Sequence, residues 1–304
     1  MEEKVIVVQN LTRDYGEGRG IFDLTFDIKK GETFGFVGTN GSGKTTTIRH
    51  IMGFLKAKSG SVKVLGLDAW HDSCEIKKYV EYIPGEIAFP DLPDGVQFLK
   101  SQAELLGLKN MDKADYLIKR LQLDPTANLK RMSKGMKQKT AIVAALMANK
   151  DILILDEPST GLDPLMRETF LELVLEEKKA GKTILMSSQM FDELELTCDR
   201  VALIFNGKIV DIVDINALKN SNIKYYKIEF TNSLDFNKFK KSKYEITRIQ
   251  EKYNQVTIKI KDEDVNSLFK YLKKFDLKFI SEVKYNLEKY FKDILAKYKE
   301  EKDV

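Results

Sequence analysis

Residues 33–51 read TFGFVGTNGSGKTTTIRHI, and the stretch GTNGSGKTT (38–46) within them decides the fold. The apolar run Thr33–Val37 has the composition of a strand buried on both faces. A helix is expected beyond the loop, over Thr45–Leu55. The loop satisfies the spacing G-x-x-x-x-G-K-[ST] through Gly38, Gly43, Lys44 and Thr45, in the strand–loop–helix context that a phosphate-binding loop requires. Gly41 and Gly43 let the backbone curl so that successive N–H groups point at phosphate. The helix start adds its free donors and positive end. Gly38, Thr39, Asn40, Gly41, Ser42, Gly43, Lys44, Thr45 and Thr46 are therefore the candidate nucleotide-binding residues. Lys44 is expected to reach the β- and γ-phosphates, and Thr45 to place its hydroxyl on Mg²⁺.

The acidic half of such a site is ILILDEP (152–158). Its four apolar residues make another buried strand, so Asp156 emerges at the carboxyl end, where open α/β sheets bind ligands. Asp156 is the candidate to hold Mg²⁺ through water. Glu157 is the candidate to face the γ-phosphate and polarise the attacking water. Pro158 makes a turn there, and capping that turn is the alternative role for Glu157. Phosphoryl transfer to water needs positioning and charge neutralisation more than covalent chemistry, so this set suffices for a nucleotide hydrolase.

Between the two motifs lies MSKGMKQKTAIVAALMANK (132–150). Ser133 can cap a helix over Lys134–Met147, and Gly135 lets its first turn approach an anion. Ile142, Val143, Leu146 and Met147 repeat at three- and four-residue spacing and give that helix a buried face. A second phosphate-seeking helix start makes sense if it closes over nucleotide bound by another subunit. A helix over Pro164–Lys179, a strand over Thr183–Met186 and a ribbon at VALIFNGKIV (201–210) follow. Helices alternating with apolar strands predict an α/β core with a largely parallel sheet.

In order and spacing these motifs resemble the nucleotide-binding domain of ATP-binding cassette transporters, over residues 4–212. The resemblance implies a P-loop NTPase cassette with a RecA-like parallel sheet core, an antiparallel β subdomain and a helical subdomain. It implies an ATPase that uses ATP and Mg²⁺. Met132-Ser133-Lys134-Gly135-Met136 stands where the family has LSGGQ; Ser133 and Gly135 match the residues that contact the partner's γ-phosphate, while Lys134 and Met136 depart. Tyr15, in LTRDYG, matches the aromatic that stacks on adenine. Ser159-Thr160-Gly161-Leu162-Asp163 is similar to the D-loop, with Asp163 expected at a dimer interface. The partners implied are a second ATP-binding subunit, with a homodimer expected, and integral membrane permease subunits on separate chains. Their coupling helices would enter a groove lined from Gly85 to about Leu106.

Two positions depart from the family. In Glu81-Tyr82-Ile83-Pro84-Gly85-Glu86, Gly85 stands where a glutamine normally touches Mg²⁺. Glu86 is expected to remain in solvent, since a further carboxylate beside Glu157 would repel it. Gln189, in ILMSSQMFDELE, stands where the family has a histidine at the γ-phosphate. It can donate an amide hydrogen bond but cannot titrate near neutral pH. ATP binding with slow hydrolysis is the expectation; a module that binds without turnover is the alternative.

The rest of the chain bounds the reading. With 43% hydrophobic and 32% charged residues, the 304-residue chain can bury a sizeable core, which excludes an extended disordered system. No apolar run approaches the roughly 18–20 residues of a membrane span, and MEEKVIVVQN carries no apolar leader. Cys74 and Cys198 make neither a disulfide framework nor a metal cluster. A cytoplasmic location, peripheral on the inner face of the membrane, is expected. All 18 glycines and 6 prolines lie at or before Gly207, and from Ala217 onward 21 Lys and Arg outnumber 14 Asp and Glu. A boundary is therefore placed after residue 216, giving a nucleotide-binding domain (1–216) and a small α+β accessory or regulatory domain (217–304). That tail resembles, over residues 219–299, the C-terminal extension of single-cassette exporter subunits. Its lysines alternate with acids, so no nucleic acid partner is expected. A soluble cassette protein of translation or DNA repair is the rival reading, but the tandem cassettes and coiled-coil insertions of those proteins do not occur in this sequence.

Overall fold

The computed structural model describes residues 3–220 and 222–300, which fall into two compact units. The first runs to Ile215 and takes in the end of the last helix from Ile294; the second is Asn216–Asp293. The chain begins with β1 (Lys4–Asp14), β2 (Gly20–Lys29), β3 (Thr33–Val37), α1 (Lys44–Ile51), β4 (Ser59–Val64), β5 (Leu67–Asp68), α2 (Ser73–Ile76) and β6 (Val80–Ile83). It continues through α3 (Gly95–Leu105), α4 (Asp112–Arg120), α5 (Lys134–Met147), β7 (Ile152–Asp156), α6 (Pro164–Lys179), β8 (Thr183–Ser188) and α7 (Phe191–Thr197). β9 (Arg200–Phe205), β10 (Lys208–Asp214) and α8 (Ile215–Lys219) follow. The second unit holds β11 (Ile223–Phe230), α9 (Ser233–Lys240), β12 (Glu245–Gln250), β13 (Gln255–Lys261), α10 (Val265–Leu272), β14 (Leu277–Val283) and the start of α11 (Leu287–Glu300).

Six strands in the order β10-β9-β3-β8-β7-β6 make the central sheet of the first unit. All neighbours are parallel except the β9–β10 ribbon. Every residue of β3, β7 and β8 is buried, which is why these segments read as continuous runs rather than alternations. Their register decides the site. Asp156 pairs with Ser187 and Val37 with Ser188, so the carboxyl ends of three adjacent strands come level. The residues that follow them, from Gly38, Glu157 and Gln189, must share one crevice.

A four-stranded antiparallel sheet, β2-β1-β4-β5, shares a core with this one. Phe26 from β2 interleaves with Phe34 and Phe36 from β3 at ring separations of 5.5 and 5.1 Å. Each such buried ring stabilises the fold by about 2–3 kcal/mol. α3 starts at Asp94, whose carboxylate accepts from the Gln97 N–H at 2.8 Å. Leu99 and Ala103 of that helix are local core, Val96 is half-buried, and Glu86 is exposed.

The second unit is a four-stranded antiparallel sheet, β12-β13-β11-β14, packed around Phe230, Phe236, Phe239 and Phe275. α9 is a short helix of 8 residues. It is opened by Asn232, which accepts from the Asp235 N–H at 2.8 Å, and is held by Phe236 and Phe239. Two anchors in one short helix leave too little periodicity to register. Leu268 and Leu272 carry the buried face of α10, whereas Phe269 is 43% exposed.

Candidate functional site

The loop between β3 and α1 is built by close approach. A Cβ on Gly38 would stand 2.3 Å from the Ile204 carbonyl oxygen, and Gly43 has φ 113°, where its Cβ would meet Ile21 at 2.6 Å. Both positions admit only glycine without rearrangement. Lys44 opens α1 with its side chain 4% exposed. Its Nζ donates to the carbonyl oxygens of Gly38 (2.8 Å) and Thr39 (3.2 Å) and lies 3.4 Å from Glu157 Oε1. An open cleft of about 340 Å³ runs from Tyr15 and Arg19 along residues 40–46 to Glu157. Tyr15 is half exposed at one end, with the Arg13 guanidinium 5.3 Å from its ring centre. An exposed aromatic ring, a glycine-rich loop and a buried lysine in one cleft suit the base and the phosphate chain of a nucleotide.

The acidic strand end is held by a residue missed from sequence, Ser187. Its hydroxyl donates to Asp156 Oδ1 at 2.6 Å and accepts from the Glu157 N–H at 3.0 Å. That N–H also reaches the Ser187 carbonyl oxygen at 3.2 Å. The signal was present as the polar pair closing the apolar run ILMSS, but only the register with β7 gives it meaning. Glu157 itself has φ 48°, in the left-handed region. Gln189 donates its amide to Glu157 Oε2 at 2.9 Å. Lys44, Glu157 and Gln189 thus form one chain of contacts across three strand ends.

Asp156 is fully buried, and its Oδ2 has no hydrogen-bond partner among the described residues. A buried carboxylate oxygen left in this way fits a divalent cation. Thr45 lines the cleft and Asp156 lies buried directly before Glu157 of its lining, so Asp156 and Thr45 are the residues that would hold Mg²⁺. Gly85 lies over that oxygen: a Cβ there would be 3.5 Å from Asp156 Oδ2, an ordinary contact. The backbone is thus in place for a longer side chain that the sequence does not supply. Tyr82, on the neighbouring strand, has its pKa pushed up to about 12 by burial and by the Asp156 carboxylate, so its phenol stays protonated.

Ser133 and Gly135 do not line the cleft. Ser133 caps α5, accepting from the Met136 N–H at 3.2 Å. Gly135 is expected from sequence to open the helix to an anion; within this chain its bare α-carbon also serves packing, because a Cβ would stand 2.8 Å from the Gly161 carbonyl oxygen. Buried Gln138 donates to the Pro158 carbonyl oxygen at 2.6 Å, a second tie between α5 and residues 158–161. Asp163 caps α6, accepting from the Met166 N–H at 3.0 Å.

The family model described as ABC transporter matches residues 21–160. An uncharacterized ABC transporter ATP-binding protein of Methanocaldococcus jannaschii is 34% identical over 210 residues, 67% of this chain and 76% of that protein. The bacitracin transport ATP-binding protein of Bacillus licheniformis is 31% identical over 75% of each chain. A solved structure described as the ATP binding subunit of an ABC transporter is 28% identical and superposes with a TM-score of 0.64, covering 71% of this chain and 92% of that one. The central sheet is thus a RecA-like P-loop core with the antiparallel β and helical subdomains of this fold. Among the described residues no helix is long and apolar enough to cross a membrane. The chain belongs to the ABC transporter ATP-binding subunits and is an ATPase.

Proposed function

We propose that this chain is the motor subunit of a separate-subunit membrane exporter, working as a homodimer that closes over two MgATP. Tyr15 stacks on the base; residues 38–46 wrap the phosphates; Asp156 and Thr45 hold Mg²⁺, which neutralises charge on the phosphate oxygens when bound. Glu157 accepts a proton from the attacking water, Lys44 offsets the charge that develops, and Gln189 orients Glu157. Ser133 and Gly135 of the second chain seal the site. The observation that carries this reading is that the cleft is one-sided: the loop, Glu157 and Tyr15 line it, and the α5 start of the same chain does not. Residues from Gly85 to about Leu106, among which Leu105 is 78% exposed, supply the face for a permease at the inner surface of the membrane. Outward transport is the direction proposed because the tail and the Tyr82-Ile83-Pro84-Gly85-Glu86 variant resemble those of exporter subunits.

Sedimentation of the full-length Glu157→Gln chain tests this. A doubled mass with MgATP that reverts with MgADP is expected. A chain that stays monomeric in saturating MgATP, even beside its membrane partner, would rule the dimer out.

Slow turnover follows from the Gln189–Glu157 contact. The amide holds the carboxylate but offers no titratable group, so Gln189→His should raise phosphate release several-fold, about 1 kcal/mol of barrier. Steady-state phosphate assays at neutral pH check this, and an unchanged or lower rate means that turnover is limited elsewhere.

A further inference from the structure

We propose that Glu193 is a positioning residue that sets the loop carrying Glu157 against the strand end carrying Gln189. The inference rests on the reading above that Glu157 and Gln189 face the γ-phosphate. The Glu193 side chain is 0% exposed. One of its oxygens, Oε2, accepts two hydroxyls: Ser159 Oγ at 2.9 Å and Ser188 Oγ at 2.7 Å. Ser159 lies two residues beyond Glu157, and Ser188 immediately precedes Gln189. The Ser188 hydroxyl in turn accepts the Met190 N–H at 3.0 Å, which fixes the backbone on the far side of Gln189. The other oxygen has no hydrogen bond among the described residues, and Arg167 Nε is 3.9 Å from it.

A buried carboxylate is costly unless it is well hydrogen-bonded. This one spends its bonds on the two segments whose side chains meet at 2.9 Å in the cleft. The same pair of segments is therefore joined twice, once by Gln189 and Glu157 and once by Ser188, Glu193 and Ser159. The buried bridge holds the backbone spacing on which the cleft contact depends, and a reacting carboxylate displaced by about 1 Å loses up to about a hundredfold in rate.

Phosphate release, ATP affinity and thermal midpoint of the full-length chain test the role. Glu193→Ala is expected to lower kcat at least tenfold while KM for ATP stays within about threefold, because the phosphate-binding loop is not part of the bridge. Glu193→Gln is expected to keep at least about a third of wild-type kcat, since both hydroxyls converge on one oxygen and an amide carbonyl takes its place. Adding Gln189→Ala to Glu193→Ala should cost less than about twofold more, since both changes undo one coupling. Should Glu193→Ala not fold, Ser159→Ala removes a single link and is expected to lower kcat at least threefold at unchanged KM. An unchanged kcat in Glu193→Ala or Ser159→Ala, a fall that glutamine does not rescue, or fully multiplicative effects with Gln189→Ala each overturn the proposal. A Glu157→Gln chain that turns over like wild type sinks the assignment of Glu157 itself. An inactive Glu157→Gln chain beside an unaffected Glu193→Ala chain sinks only the role of Glu193.

Discussion

A Glu157→Gln chain is expected to bind MgATP as tightly as wild type and to release phosphate about a hundredfold to ten-thousandfold more slowly. The substitution preserves shape. Oε1 of Glu157 faces the Lys44 ammonium at 3.4 Å and Oε2 accepts from Gln189 at 2.9 Å. A glutamine keeps its carbonyl toward Lys44 and presents its amino group to Gln189, which turns its own amide to accept. The backbone bonds from the Glu157 N–H to Ser187 are untouched. What disappears is the carboxylate that takes a proton from water. Phosphate release at saturating MgATP, beside nucleotide binding at equilibrium, checks this. Equal rates in the two chains would remove Glu157 from the chemistry.

Lys44→Ala should strike binding instead. The ammonium is almost wholly buried, pinned by two loop carbonyl oxygens and the Glu157 carboxylate. Removing it strips a positive charge from the cleft and leaves the Gly38 and Thr39 carbonyl oxygens without this donor. Truncating one member of such a buried charged set costs about 2–5 kcal/mol, a loss of about thirtyfold or more in ATP affinity. Calorimetric titration with MgATP measures it, and a dissociation constant within about threefold of wild type would show that the lysine does not hold phosphate.

The strand–loop–helix at residues 33–51 and the strand at ILILDEP were legible because their chemistry and fold are set by consecutive residues. Ser133 as a cap was legible for the same reason, since its acceptor role spans three residues. What escaped was set by pairing across the sheet. Ser187 becomes a clamp only because β8 lies beside β7, and Glu193 reaches Ser159 only because α7 returns to the loop after β7. The contact between Gln189 and Glu157 also crosses that strand pair. In the second unit, the four-stranded sheet alternates visibly in YYKIEF and QVTIKI, whereas α9 rests on two phenylalanines and a cap that no periodic pattern announces.

The left-handed backbone at Glu157 has a consequence for how the chain can drift. Glycine or asparagine would sit at φ 48° with less strain than a longer acid. Holding glutamate there forfeits on the order of 1 kcal/mol of folding stability. Random change at this one position therefore runs toward a sturdier but idle protein, and only continued demand for ATP turnover keeps the acid in place.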